Sequence, residues 1–199
     1  MKKDQNPAGL SEYLLCRCCE KRFSRWETCA ANWFYNWEPV VAEEIPGFVL
    51  YKELPFEKFR LYCLSVLWRM SISSLPYYKG VDVGASVEET LRKALLEGDP
   101  LEERWPIGFM KIVMPDGEDV ALSVDPYSCL IDGQKSFYLL TNGFLHEFHM
   151  DSMGVEDGVL VQGCLTRAGT LAVARMPYIY HPVIGPHIRA QIDAYIRNG

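Results

Sequence analysis

Two short stretches of this chain hold residue types at spacings that could support chemistry. The first, Leu15-Cys16-Arg17-Cys18-Cys19-Glu20, carries three of the seven cysteines. Cys16 and Cys19 have the two-residue gap of a zinc knuckle, where a tight turn lets two thiolates converge on one ion, and Cys18 could replace either. A structural zinc takes four protein ligands, and no second C-x-x-C or H-x-x-x-H pair stands at a usual distance. Burial as small apolar side chains is the competing fate of the trio, as it is for Cys29, Cys63, Cys129 and Cys164. The same pair is also a dithiol at a helix start, where the macrodipole would lower a thiol pKa. That motif normally follows a strand of a parallel sheet, a context the strand pattern does not offer.

The second stretch is Phe144-Leu145-His146-Glu147-Phe148-His149-Met150-Asp151. On a strand, alternation puts Glu147, His149 and Asp151 on one face and Phe144, His146, Phe148 and Met150 on the other. A Glu, a His and an Asp side by side could hold a divalent metal or share acid–base work. His146, Glu147, His149 and Asp151 are therefore the catalytic candidates. The plainer reading is a half-exposed strand with one polar face, and it is the stronger one. Arg17, Lys21, Arg22 and Arg25, with Trp26 nearby, form a basic cluster that could contact phosphates; as an ordinary helix face it would be solvated. His181 and His187 flank a Pro-Val-Ile-Gly-Pro loop and suggest only turn chemistry. No phosphate-binding loop, dinucleotide fingerprint or nucleophile elbow occurs.

These residues need elements to position them. With 199 residues, 49% of them hydrophobic, the chain can bury one sizeable core. Residues 1–9 have the composition of a flexible tail, 10–105 of a helical part, and 106–199 of an antiparallel β part closed by a C-terminal helix, together one unit. Three helices are expected: about Cys19 to Tyr35, ended before Pro39; a central one after Pro55, apolar on most of its circumference; and Ser86 to Glu97, with Ser86 and Glu89 as a capping box and Gly98 at the end. Phe48 to Leu54 is a strand candidate after the Pro46-Gly47 turn. Beyond Pro106, apolar or alternating runs cover Ile107–Met114, Asp119–Val124, Ser128–Ile131, Ser136–Thr141, Phe144–Met150, Val159–Cys164 and Thr170–Arg175. Pro-Asp-Gly, Asp-Gly, Asn-Gly and Ala-Gly turns separate them. This is the pattern of an antiparallel meander, a curved sheet or partial barrel. Pro186 to Arg197 is the expected last helix. The fold class is α+β.

The net charge of −6 argues against a surface basic throughout and hence against strong nonspecific nucleic-acid binding. The longest apolar run, Leu61 to Trp68, is bracketed by Arg60 and Arg69 and is far short of a membrane span. No secretory h-region follows Met1, so the cytoplasm, with reduced thiols, is the expected compartment.

Tyr13 to Glu27 (YLLCRCCEKRFSRWE) and Phe56 to Leu75 (FEKFRLYCLSVLWRMSISSL) resemble an uncharacterised bacterial family related to HNH endonucleases. Its members pair an LLCxxCExxFSxxE segment with a downstream FKxFxLSxLWRxSxSS helix. The resemblance implies that Cys16 and Cys19 are the second half of a treble-clef zinc site, followed by a helix carrying Glu20, Phe23, Ser24 and Glu27, with Trp68-Arg69 in the helix signature. The family's first zinc half-site and its motif histidine have no counterpart among the fifteen residues before Cys16. The resemblance thus implies ancestry without activity: a non-catalytic binding protein, a truncated or degenerate HNH-like zinc protein, of a bacterial or phage conflict system. Zn²⁺ is the cofactor it implies. A protein partner or self-association is expected, nucleic acid is left open, and a membrane is not expected. The alternative is a metal-dependent nuclease or other hydrolase, using His146, Glu147, His149 and Asp151 or completing the knuckle from a second chain.

Overall fold

Helix α1 spans Arg17–Phe34 because Phe23, Trp26, Ala30 and Trp33 recur at three- and four-residue steps and bury one stripe. This and all other geometry comes from a computed structural model, which describes residues 12–35, 41–101, 104–131, 133–150, 164–182 and 184–190. Helix α2, Phe56–Ile72, starts after Pro55 at its N-cap. It buries Phe59, Cys63, Leu64 and Leu67 completely, and Leu61 and Met70 nearly so. Each such aliphatic or aromatic side chain stabilises the fold by roughly 1.5–3 kcal/mol. With α1 on one side and α3, Ala85–Glu97, on the other, α2 is the central helix its composition predicts.

The capping box expected at Ser86 does not form. Gly84 is the N-cap of α3, and Glu89 turns to Arg92, one turn ahead, at 2.7 Å. The short i,i+3 reach to a guanidinium wins over the backbone N–H. Gly98 ends α3 in the left-handed conformation, as the sequence suggests.

Among the described residues, seven strands form one open sheet: β1 (Val41–Ile45), β2 (Phe48–Lys52), β3 (Ile107–Val113), β4 (Val124–Ile131), β5 (Gln134–Thr141), β6 (Phe144–His149) and β7 (Leu171–Pro177), in the order β1-β2-β7-β3-β6-β5-β4. The fold is α+β. Strands β4 and β5 pair antiparallel with Ile131 opposite Gln134, Asn142-Gly143 turns β5 into β6, and β6 returns to pair with β3 antiparallel. One contact departs from a simple meander: β7 lies parallel to β3, and β2 pairs with β7. The hairpin β1–β2, from the helical half of the chain, thereby becomes the far edge of the sheet. Residues 119–123, expected to begin a strand, make only an isolated bridge, Val113 to Asp119, before β4 starts. The run 159–163 lies outside the described residues, and Cys164 bridges Gly108.

The two edges are unlike the interior strands. On β1, Glu43 pairs with Lys52 across the hairpin at 2.6 Å. On β4, Pro126 lies within a register break between Val124 and Tyr127. Charge and a bulged proline are both means of discouraging further strand addition.

The sheet has two covered faces. On one, Ile107, Phe109, Phe137, Leu139, Phe144, Phe148, Leu171 and Val173 share a core with the three helices. Trp33 is its hub: its ring stands 5.0–5.6 Å from Tyr51, Phe59, Phe109 and Phe144. On the other, Ile112, Val124, Tyr138, Leu140 and Leu145 meet Ile184 and Ile188 of helix α4, residues 184–190. Residues 184 and 185, ahead of Pro186, are already helical, and Ile192, Tyr195 and Ile196 lie outside the described residues.

Candidate functional site

Cys16 is the N-cap of α1, with extended backbone (φ −74°, ψ 159°), and its carbonyl accepts the first helical bond from Glu20 N–H at 3.0 Å. Cys19, one turn later, falls on the same side of the helix, and both line one cavity. Cys16 makes no side-chain capping hydrogen bond. The Cys19 N–H, then the Cys19 thiol and the Cys18 N–H, nevertheless hold the Cys16 thiol below its ordinary pKa. Cys19 shifts the other way, first because its own proton is engaged by Cys16. Cys16 is exposed and Cys19 half-buried, as is Cys29, whereas Cys63 and Cys164 are buried. Burial raises both of the last two, Cys164 to about 11.

Both sulfur-bearing residues line a cavity of about 180 Å³, walled by Leu14, Leu15, Phe23 and Trp68, with Arg22 and Arg92 also in its lining. Arg22 is committed: its guanidinium donates to the carbonyls of Leu95 (3.4 Å) and Leu96 at the end of α3. There it meets the negative end of that helix, as a cation at a C-terminus should. The basic cluster is therefore divided, with Arg17, Lys21 and Arg25 exposed on α1 and Arg22 tying α1 to α3.

A zinc ion would need four ligands. Cys16 and Cys19 supply two convergent thiols. Among the described residues, no group of three or more His, Cys, Asp or Glu side chains is placed to hold a metal ion. The residues fit half of a zinc site and do not fit a whole one.

Near the thiols, Glu12 ties the segment before α1 to the end of α2. Its carboxylate accepts from the hydroxyls of Ser74 (2.5 Å) and Ser73 (2.7 Å) and from Ser74 N–H. Those hydroxyls hold its pKa down. A groove of about 650 Å³ opens beside it between α1, α2 and β5, where Arg69 is paired with Glu27 at 2.7 Å.

Of the three catalytic candidates on β6, Glu147 and His149 share one face and His146 lies on the other. His146 faces the helical side and is buried among Phe34, Tyr62, Phe109 and Phe148. Its Nδ1 bonds the Leu139 carbonyl at 3.2 Å, and its Nε2 is buried with no hydrogen-bond partner among the described residues. Burial pulls its pKa down to about 4, so the ring is neutral. Glu147 and His149 face the opposite side, as alternation requires, and Asp151 lies outside the described residues.

Here an expectation fails. The face carrying Glu147 and His149 was expected to be half-exposed, yet His149 is 7% exposed, and the segment leading into α4 reaches Glu147 beside it. That segment brings His181, whose Nε2 sits 3.5 Å from Glu147 Oε1, while His149 Nε2 sits 3.9 Å from Glu147 Oε2. His149 Nδ1 bonds Ser136 Oγ at 3.1 Å. His181 Nδ1 accepts the Ile184 N–H at 3.0 Å, which leaves its proton on Nε2, pointing at Glu147. An imidazole in that tautomer donates to the carboxylate and has no lone pair there for a metal.

Around this cluster, Tyr127 stacks on Tyr138 at 5.3 Å and on His187 at 4.4 Å. Burial first, then neighbouring groups that include Glu147, pushes both phenols up. Ser136, His149 and His181 are each under a tenth exposed, so a substrate would have to displace packed side chains to reach them. The arrangement can hold and share a proton, and it fastens α4 to the sheet. Sequence reasoning gave His181 only turn chemistry beside the Pro-Val-Ile-Gly-Pro loop, and nothing local links it to Glu147.

No helix among the described residues is long and apolar enough to cross a membrane. No family model, no curated protein and no solved structure matches this chain.

Proposed function

We propose that this chain is a non-catalytic binding protein, HNH-like in ancestry, in which Cys16 and Cys19 are half of a zinc knuckle that a partner chain completes. The observation that carries this reading is the thiol pair at the head of α1, Cys16 exposed and Cys19 half-buried, joined by no third ligand among the described residues. A half-site on the surface is a contact point for a protein that brings two more thiolates or imidazoles, and a second copy of the chain is the simplest such partner. The helix behind the pair is firmly held, with Phe23, Trp26, Ala30 and Trp33 in the core, as a ligand platform must be.

The test is zinc titration of the reduced protein followed by native mass measurement. The expected result is weak binding to the monomer and a dimer holding one zinc per two chains, abolished by Cys16→Ser with Cys19→Ser. Tight one-to-one binding by the monomer would mean a complete site and would overturn the reading. So would metal-dependent cleavage of DNA by the purified chain.

The second reading, a hydrolase, has one observation in its favour: the convergence of two imidazoles on Glu147. It predicts hydrolytic activity lost in His149→Ala and in Glu147→Gln. Activity indifferent to both would remove the cluster as its centre.

A further inference from the structure

We propose that the groove between α1, α2 and β5 binds a linear aliphatic polyamine, a chain of methylenes carrying two or three ammonium groups. The groove holds about 650 Å³, a size that suits a small organic molecule. Its floor is apolar, with Phe23 from α1, Met70 from α2 and Leu139 from β5 each less than a tenth exposed. Its charge is negative, because the lining carries the carboxylates of Glu12, Glu20 and Glu27 against one guanidinium, that of Arg69. Helix α2 ends there at Ile72, so the negative end of its dipole falls beside Met70 and Ser73 of the lining.

Two of the carboxylates are open to a ligand. Glu12 is saturated by the Ser73 and Ser74 hydroxyls and the Ser74 N–H. Glu27 gives only Oε1 to Arg69, which leaves Oε2 for a further donor. Glu20 is exposed, and its carboxylate is engaged by no donor among the described residues. Glu20 and Glu27 lie two helical turns apart on α1, so their carboxylates follow one face of the helix about 10 Å from each other. Ammonium groups at both ends and methylenes lying over Phe23 and Met70 match the charge and the floor together. A monoamine or a single metal ion reaches one carboxylate at a time. The lining contains no cysteine, so this binding does not depend on the zinc reading.

The experiment is isothermal titration calorimetry of the full chain with spermidine at low salt, with n-butylamine and Mg²⁺ as comparisons. The expected result is one spermidine per chain, bound at least about tenfold tighter than n-butylamine, weakened by added salt and not displaced by equimolar Mg²⁺. Glu20→Gln should weaken binding about three- to fivefold. Ser24→Arg, which sets a guanidinium in the lining between the two carboxylates, should abolish it. Glu57→Gln, exposed on α2 and outside the lining, should change nothing. Circular dichroism checks that each variant is folded. Absence of binding would overturn the proposal. So would binding that n-butylamine or Mg²⁺ matches, that survives Ser24→Arg, or that Glu57→Gln weakens as much as Glu20→Gln, since that is attraction to net charge alone.

Discussion

His181 Nε2 and Glu147 Oε1 lie 3.5 Å apart across the seam between β6 and the segment that enters α4. The carboxylate also faces His149 Nε2 at 3.9 Å, so one partly buried acid serves two rings. Glu147→Gln removes the charge that faces both rings and one of its two acceptor oxygens, leaving an amide oxygen that still accepts from His181 Nε2–H. Glu147→Gln is expected to cost about 1–3 kcal/mol in urea denaturation. A double-mutant cycle with His181→Gln should give a coupling above ~0.5 kcal/mol, and additive effects would show that the contact contributes nothing.

His146 makes stability depend on pH. Burial lowers its folded pKa from 6.5 to about 4, so between those values the unfolded chain binds the proton more readily. Stability is therefore full above pH 6.5, declines as pH falls toward 4, and levels off below. The shift is worth about 3 kcal/mol. His149 is shifted the same way by burial, with Glu147 opposing. His146→Phe keeps a ring among Phe34, Phe109 and Phe148 and should flatten the profile between pH 7 and 4. An unchanged slope would place the dependence elsewhere.

Arg60 is 2% exposed on α2 and holds the connection from α3 to β3. Its Nε donates to Pro100 O at 2.6 Å and its Nη2 to Leu101 O at 2.7 Å, with the Arg104 and Trp105 carbonyls also in reach. A planar fork serves several carbonyls at once, which an ammonium cannot. Arg60→Lys should destabilise by at least about 2 kcal/mol and Arg60→Leu by more, because the carbonyls lose their donors. A melting temperature within a degree of the parent would contradict this.

Gly143 closes the β5–β6 hairpin with φ +78° beside Asn142 at φ +51°. A Cβ there would lie 2.1 Å from Val120 O, a backbone atom that cannot swing away. Gly143→Ala is expected to cost more than about 2 kcal/mol, from strain and clash together. Gly133→Ala has the same sign of φ but nothing within 4 Å, so it should cost clearly less. Equal losses in chemical denaturation would show that contact plays no part.

Much of the framework was present in local sequence. The one-face periodicity of Phe23, Trp26, Ala30 and Trp33, the near-complete apolarity of α2, and the Asn142-Gly143 dipeptide each encode their own geometry, because dihedral preferences and side-chain spacing act over a few residues. Alternation on β6 likewise put His146 on the opposite face from Glu147 and His149. The side-by-side placement of Cys16 and Cys19 follows from a two-residue gap at a helix start. Only the tertiary structure decided what covers each face. The parallel contact of β7 with β3 joins strands far apart in the chain, and no local pattern records it. That packing buried a polar face expected to be wet, delivered His181 to Glu147, and drew Arg22 to the end of α3. Whether a charged side chain is solvated or engaged depends on what the fold lays against it, and that is a property of distant residues rather than of neighbours in sequence.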